Sequence, residues 1–129
     1  MAPGNKNMGT DACVPISALP ACLLESQADI AATGLMVTIA GHVGDGNFHL
    51  GSMYDPDDAS EVERAGGLSF RVARRAIAMG GTCSGEHGIG LHKIAHMEAE
   101  HGRGVDVMKS IKRALDPHGI MNPGKIYPG

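Results

Sequence analysis

Residues 35–54, LMVTIAGHVGDGNFHLGSMY, read as two strands joined by a tight turn. Leu35 to Ala40 is rich in branched apolar residues and reads as a buried strand. Asp45-Gly46 suits a two-residue type I′ hairpin, because both positions of that turn need positive φ. Such a turn sets Gly44 against Asn47, Val43 against Phe48 and His42 against His49. Strand alternation then places Val43 and Phe48 on one face and the two histidines together on the other. Histidines directly opposed across a hairpin have Cβ atoms roughly 5 Å apart, close enough for both rings to reach one metal ion at about 2.1 Å. Two separately hydrogen-bonded histidines are the alternative.

Upstream, residues 1–10 read as a flexible lead-in and Asp11 to Ile16 as a short apolar strand. Ser17 is the candidate N-cap of a helix that carries Leu19, Leu23, Leu24 and Ile30 and stops at Gly34, with Pro20 tolerated in its first turn. Downstream, the loop DPDDAS leads into a helix from about Ser60 to Met79, whose Leu68, Val72, Ala76 and Met79 share one face, and Gly80-Gly81 stops it. Thr82 to Gly90, TCSGEHGIG, is strand or loop, too rich in glycine for a helix. Helical patterning returns from about Leu91 and, after Gly102 and Gly104, runs from Val105 to Leu115, where Asp116-Pro117 ends it. The tail NPGKIYPG is extended or turn-like. This order predicts an α+β fold, a small antiparallel sheet with helices on one face, followed by C-terminal helices.

The 129 residues fit one ordinary domain, and 43% hydrophobic with 19% charged residues marks a globular chain. No Trp, two Phe and two Tyr stand against 19 Gly and 8 Met, so the core must be aliphatic and sulfur-rich. A net charge of −3 leaves no basic footprint for nucleic acid and no polybasic membrane anchor. No run approaches the roughly 20 apolar residues of a membrane span. Cys13, Cys22 and Cys83 are odd in number and scattered, which reads as three small buried hydrophobes in a reducing compartment. The start MAPGNKNMG has neither a signal peptide's apolar stretch nor a presequence's arginines, so a cytoplasmic location is expected.

A second chemical candidate is GEHGIG, residues 85–90. Its glycines permit tight turns and close backbone approach to a ligand. In an extended segment Glu86 and His87 point in divergent directions, so one could bind a metal while the other acts on substrate. A helix-capping loop with a solvated Glu-His pair is the alternative. His92, His96 and Glu100 stand at i, i+4 and i+8, but without a His-Glu-x-x-His pattern they read as a solvated stripe. Asp55, Asp57 and Asp58 lack the glycine and terminal glutamate of a calcium loop. There is no nucleophile elbow, P-loop or dinucleotide fingerprint.

DACVPIS, GHVGDGNFHL, GGTCSGEHGIG, KSIKRALDP and NPGKI, in this order, resemble the C-terminal part of the FAD-linked oxidases of the vanillyl-alcohol oxidase superfamily. Phe48 and the TCSGEHGIG wording look most like the cytochrome-type D-lactate dehydrogenases, with glycolate oxidase and D-2-hydroxyglutarate dehydrogenase subunits close behind. The resemblance covers roughly residues 10–127. It implies a ferredoxin-like α/β sandwich over 11–129, a partial C-terminal substrate and metal domain whose FAD-binding domain is absent from this chain. It implies oxidation of a small D-2-hydroxy acid to a 2-oxo acid, with the hydride going to FAD. By the same resemblance His42, His49 and Glu86 bind a divalent ion, usually zinc, His87 is the general base, and Asn122 lies near the flavin.

A His₂Glu site leaves an open position for a substrate hydroxyl and carboxylate, and a neutral imidazole can take the hydroxyl proton. The expected partners are the hydroxy acid, a flavin-binding chain, and other copies of this chain through exposed apolar surface. The alternative reading is a non-catalytic metal-binding or interaction module that docks to a separate flavin-binding chain.

Overall fold

The computed structural model describes residues 4–127, which fall in two units divided between Glu86 and His87. In the first unit, β1 (Lys6–Cys13), α1 (Leu19–Thr33), β2 (Met36–Ala40), β3 (Asn47–Tyr54) and α2 (Ala59–Ala78) follow in chain order. The three strands form one sheet in the order β1-β3-β2, with both pairings antiparallel. After α2 the chain returns to the free edge of β1 for one antiparallel bridge, Cys13 to Thr82. This is the split β-α-β pattern expected of a ferredoxin-like sandwich, with a stub in place of the fourth strand.

The alternation along β3 decides which face is covered. Phe48 and Leu50 are buried and join Ala12 of β1, Leu19 and Cys22 of α1, and Leu68, Val72 and Ala76 of α2 in one core. Both helices therefore lie on the face that presents Phe48. Fully burying a side chain of this size contributes roughly 1.5–3 kcal/mol, so this layer dominates the unit's stability. Asp58 caps α2, its carboxylate accepting from the Ser60 and Glu61 amides. Gly34, at φ +67°, ends α1 in the left-handed conformation.

Arg75 ties the two helices together by donating to Glu25, Ser26 and Asp29. Partial burial pulls the Asp29 carboxyl upward, but the Arg75 hydrogen bond and the charges of Arg75 and Arg71 outweigh it and hold Asp29 below the ordinary carboxylate range.

Several local expectations change. Residues 1–3 of the expected lead-in lie outside the described residues, and residues 6–10 are already the first half of β1, which starts five residues earlier than Asp11 because β3 is long enough to pair back to Lys6. Ser17 lies inside a short 3₁₀ turn (Ile16–Ala18) and caps nothing. The strand β2 is an exposed edge rather than a buried strand, with Met36 and Ile39 facing solvent, since only β3 pairs with it. Of the segment 82–90, only Thr82 bridges to a strand. The predicted helical stretch from Leu91 forms a 3₁₀ turn (Ile94–His96) and the single-turn α3 (Met97–His101).

In the second unit α3 is followed by α4 (Gly104–Leu115), which ends at Asp116 as expected. The Asp116 carboxylate accepts from the Ile120 and Met121 amides and from Lys112, while Lys112 also donates to the Met121 carbonyl. The Lys112 hydrogen bond leads these interactions in holding the Asp116 carboxyl below its usual range. Residues 120–121, which lead into the tail, are thus clipped back onto the end of α4. Among the described residues no helix is long and apolar enough to cross a membrane.

Candidate metal centre

The sheet face opposite α1 and α2 carries the candidate site. Strand alternation puts His49 on the face opposite Phe48 and Leu50, between Asp11 of β1 and Ala40 of β2 in the pairing register. The connection that brings His42 to it is longer than the two-residue hairpin expected. The β2–β3 pairing ends at Ala40–His49, and residues 43–45 form a 3₁₀ turn in which the Asp45 and Asn47 amides both donate to the His42 carbonyl. Val43 is exposed and does not face Phe48.

A tertiary contact overrides the turn preference. The Gly46 carbonyl accepts from the Val14 amide at 3.0 Å, and a Cβ on Gly46 would fall 2.0 Å from the Val14 carbonyl oxygen. With Gly46 at φ +77°, only glycine fits this close approach of two backbones.

His42 and His49 still meet, although not as a cross-strand pair. Their ring centroids are 6.3 Å apart and their planes perpendicular. Glu86 joins them at the end of the loop after Thr82, with Oε1 3.0 Å from His49 Nε2 and 4.0 Å from His42 Nε2. One ligand atom from each of the three lies within 4.8 Å of the others. Two imidazole nitrogens and a carboxylate oxygen are a donor set that zinc takes, and three protein ligands leave an open position. The residues therefore fit a divalent ion. His42 and Glu86 are exposed and His49 is mostly buried, so the cluster opens to solvent on one side.

Behind His49 lies a polar layer that sequence reading missed. Asp11 is 1% exposed, and its Oδ1 lies 3.2 Å from His49 Nδ1 and accepts from Asn47 Nδ2 at 2.8 Å. Its Oδ2 accepts from the Glu86 amide at 2.8 Å. Asn47 is buried and also donates to the Ala12 carbonyl. The available signal was an acidic residue alternating with small apolar ones in a strand, which is costly unless it serves a partner.

The remaining candidates are placed as follows. His87 is exposed and opens the second unit. Asn122 opens the tail at φ +47°, its Oδ1 accepting from Lys125 Nζ. His92 falls in a turn before the 3₁₀ segment that holds the buried His96, so His92, His96 and Glu100 do not share one helix face. Asp55 and Asp58 are occupied with the turn and cap that start α2. Cys22 and Cys83 are buried as expected and Cys13 is half-buried. Burial pushes the Cys22 thiol up.

The family model for FAD linked oxidases, C-terminal domain, matches residues 1–126. A probable mitochondrial D-lactate dehydrogenase of Danio rerio is 51% identical over 127 residues, covering 98% of this chain and 26% of that protein. A mitochondrial D-lactate dehydrogenase [cytochrome] of Arabidopsis thaliana is 43% identical, covering 99% and 23%. The glycolate oxidase subunit GlcD of Bacillus subtilis is 39% identical, covering 91% and 25%. The chain thus spans about a quarter of the length of the curated relatives it matches. The mitochondrial names of the two dehydrogenases overturn the expected cytoplasmic location. That expectation rested on the composition of nine residues, whereas compartment is specified by a recognised targeting segment and not by the surface of a folded domain.

Proposed function

The chain belongs to the family of FAD linked oxidases, C-terminal domain, and from that premise we propose that it forms the substrate and metal segment of an FAD-dependent D-2-hydroxyacid dehydrogenase converting D-lactate to pyruvate. The observation that carries this reading is the convergence of His42, His49 and Glu86 on the sheet face opposite α1 and α2. The D-lactate dehydrogenase names of relatives aligned over nearly the whole chain supply the substrate class.

His42 and His49 would hold a divalent ion, zinc by donor chemistry, through neutral ring nitrogens, with Glu86 as the third, anionic ligand. When bound, the metal supplies Lewis acidity toward the substrate hydroxyl and carboxylate, and FAD supplies the hydride acceptor. His87 is assigned as general base: a ring nitrogen takes the hydroxyl proton while the C2 hydrogen leaves with its electron pair. Asn122 is assigned to the flavin side of the site. Two electrons and two hydrogens leave the hydroxy acid, which becomes the 2-oxo acid.

The test is zinc content and D-lactate turnover of the chain joined to its flavin-binding complement. Wild type should retain one zinc per chain and reduce flavin with D-lactate, and His49→Ala should lose both. Equal metal content in the two proteins would remove the ligand assignment. Flavin reduction unaffected by the loss of zinc would remove the metal from the reaction.

A further inference from the structure

We propose that Asp11 is the positioning residue of the metal centre, a buried carboxylate that orients the His49 ring and anchors the Glu86 backbone, so that two of the three ligands are set before any ion arrives. This rests on the ligand set proposed above and adds what holds it in place. Asp11 stands directly opposite His49 in the β1–β3 register, on the sheet face opposite α1 and α2, and is almost wholly buried. A carboxylate removed from water is unfavourable unless its lone pairs are taken. Here they are directed to the site: Oδ1 toward His49 Nδ1 at 3.2 Å, Oδ2 to the Glu86 amide at 2.8 Å.

The two contacts have separate consequences. With a metal on Nε2, the His49 ring proton would sit on Nδ1, the nitrogen 3.2 Å from Asp11 Oδ1, while Glu86 Oε1 stands 3.0 Å from Nε2. The hydrogen bond to the Glu86 amide fixes the backbone from which the third ligand projects, across 75 residues of sequence. Asn47 keeps the carboxylate from turning away, since its Nδ2 donates both to Oδ1 and to the Ala12 carbonyl. Gly85 lets the loop seat this deeply, because a Cβ there would lie 2.6 Å from Asp11 Oδ1.

The experiment compares zinc affinity, by competition with a chromophoric chelator, in the wild-type chain, Asp11→Asn and His49→Ala. Nitrogen-15 spectra of zinc-free Glu86→Ala, in which Asp11 faces His49 without the competing Glu86 carboxylate, with and without Asp11→Asn, report the His49 tautomer. Asp11→Asn should bind zinc roughly 10–100-fold more weakly and remove the Nδ1–H preference expected of Glu86→Ala, while His49→Ala should lose tight binding altogether. If His49→Ala binds as wild type, the ligand set fails and this inference goes with it. If His49→Ala loses binding while Asp11→Asn keeps wild-type affinity and leaves the tautomer unchanged in the Glu86→Ala background, the role of Asp11 is overturned and the ligand set stands. Should Asp11→Asn not fold, the Glu86→Ala tautomer decides alone, and a dominant Nε2–H form there overturns the proposal.

Discussion

Gly85 lies so close to Asn47 that a Cβ on it would stand 1.9 Å from the Asn47 amide nitrogen. The loop that ends in Glu86 therefore rests directly on the side chains of the sheet. Gly85→Ala must push that loop outward or displace the Asn47–Asp11 pair. Overpacking of this kind costs typically 1–3 kcal/mol, and Glu86 moves with it. Denaturant unfolding should report the loss of stability and zinc titration the loss of affinity. An unchanged midpoint with unchanged affinity would contradict the packing described.

The core layer under the sheet makes a prediction that does not depend on chemistry. Phe48 is fully buried among α1 and α2 residues, so Phe48→Ala should lower the unfolding free energy by about 3–5 kcal/mol. Leu24, exposed on α1, should tolerate alanine within about 0.5 kcal/mol. Urea midpoints of the two variants check the contrast.

Asp29 contributes a pH-dependent part of the stability. Its folded pKa lies below the ordinary 3.8, so its stabilisation is fully present above that value and is lost as pH falls through the lower, folded one. The pair is partly exposed and its worth is on the order of 1 kcal/mol. Wild type should exceed Asp29→Asn in urea midpoint at neutral pH, and the gap should close below about pH 3.8. A gap that persists unchanged into that acid range would show that the Arg75 pairing is not its source.

His87 should matter for turnover and not for metal retention. In the chain joined to its flavin-binding complement, His87→Asn should slow D-lactate oxidation by roughly 10²–10⁴-fold while zinc content stays at the wild-type level. A rate within tenfold of wild type would remove the general-base assignment. Loss of zinc would make His87 a ligand instead.

The parts of this fold that could be read from the sequence are those fixed by neighbours a few residues away. The stripe Leu68, Val72 and Ala76 identified α2 and its buried face, and Gly34 marked the end of α1. Strand alternation correctly put His49 on the face opposite Phe48, although Val43 does not join Phe48. Helical and strand periodicities are local, so a single chain displays them openly.

What only the tertiary structure decided depends on partners distant in sequence. Asp45-Gly46 has the chemistry of a two-residue hairpin, yet Gly46 is held by Val14 and β3 is paired along its whole length with β1, so the turn opens and His42 leaves the strand. Leu35 to Ala40 has the composition of a buried strand, but only its place at the sheet edge leaves Met36 and Ile39 in solvent. Asp11, silent in the sequence, becomes the common partner of His49, Asn47 and Glu86 because the β1–β3 register sets it opposite His49 and the loop after Thr82 returns over it. Register and burial are set by pairing between remote segments, and no local pattern encodes which remote segment will arrive.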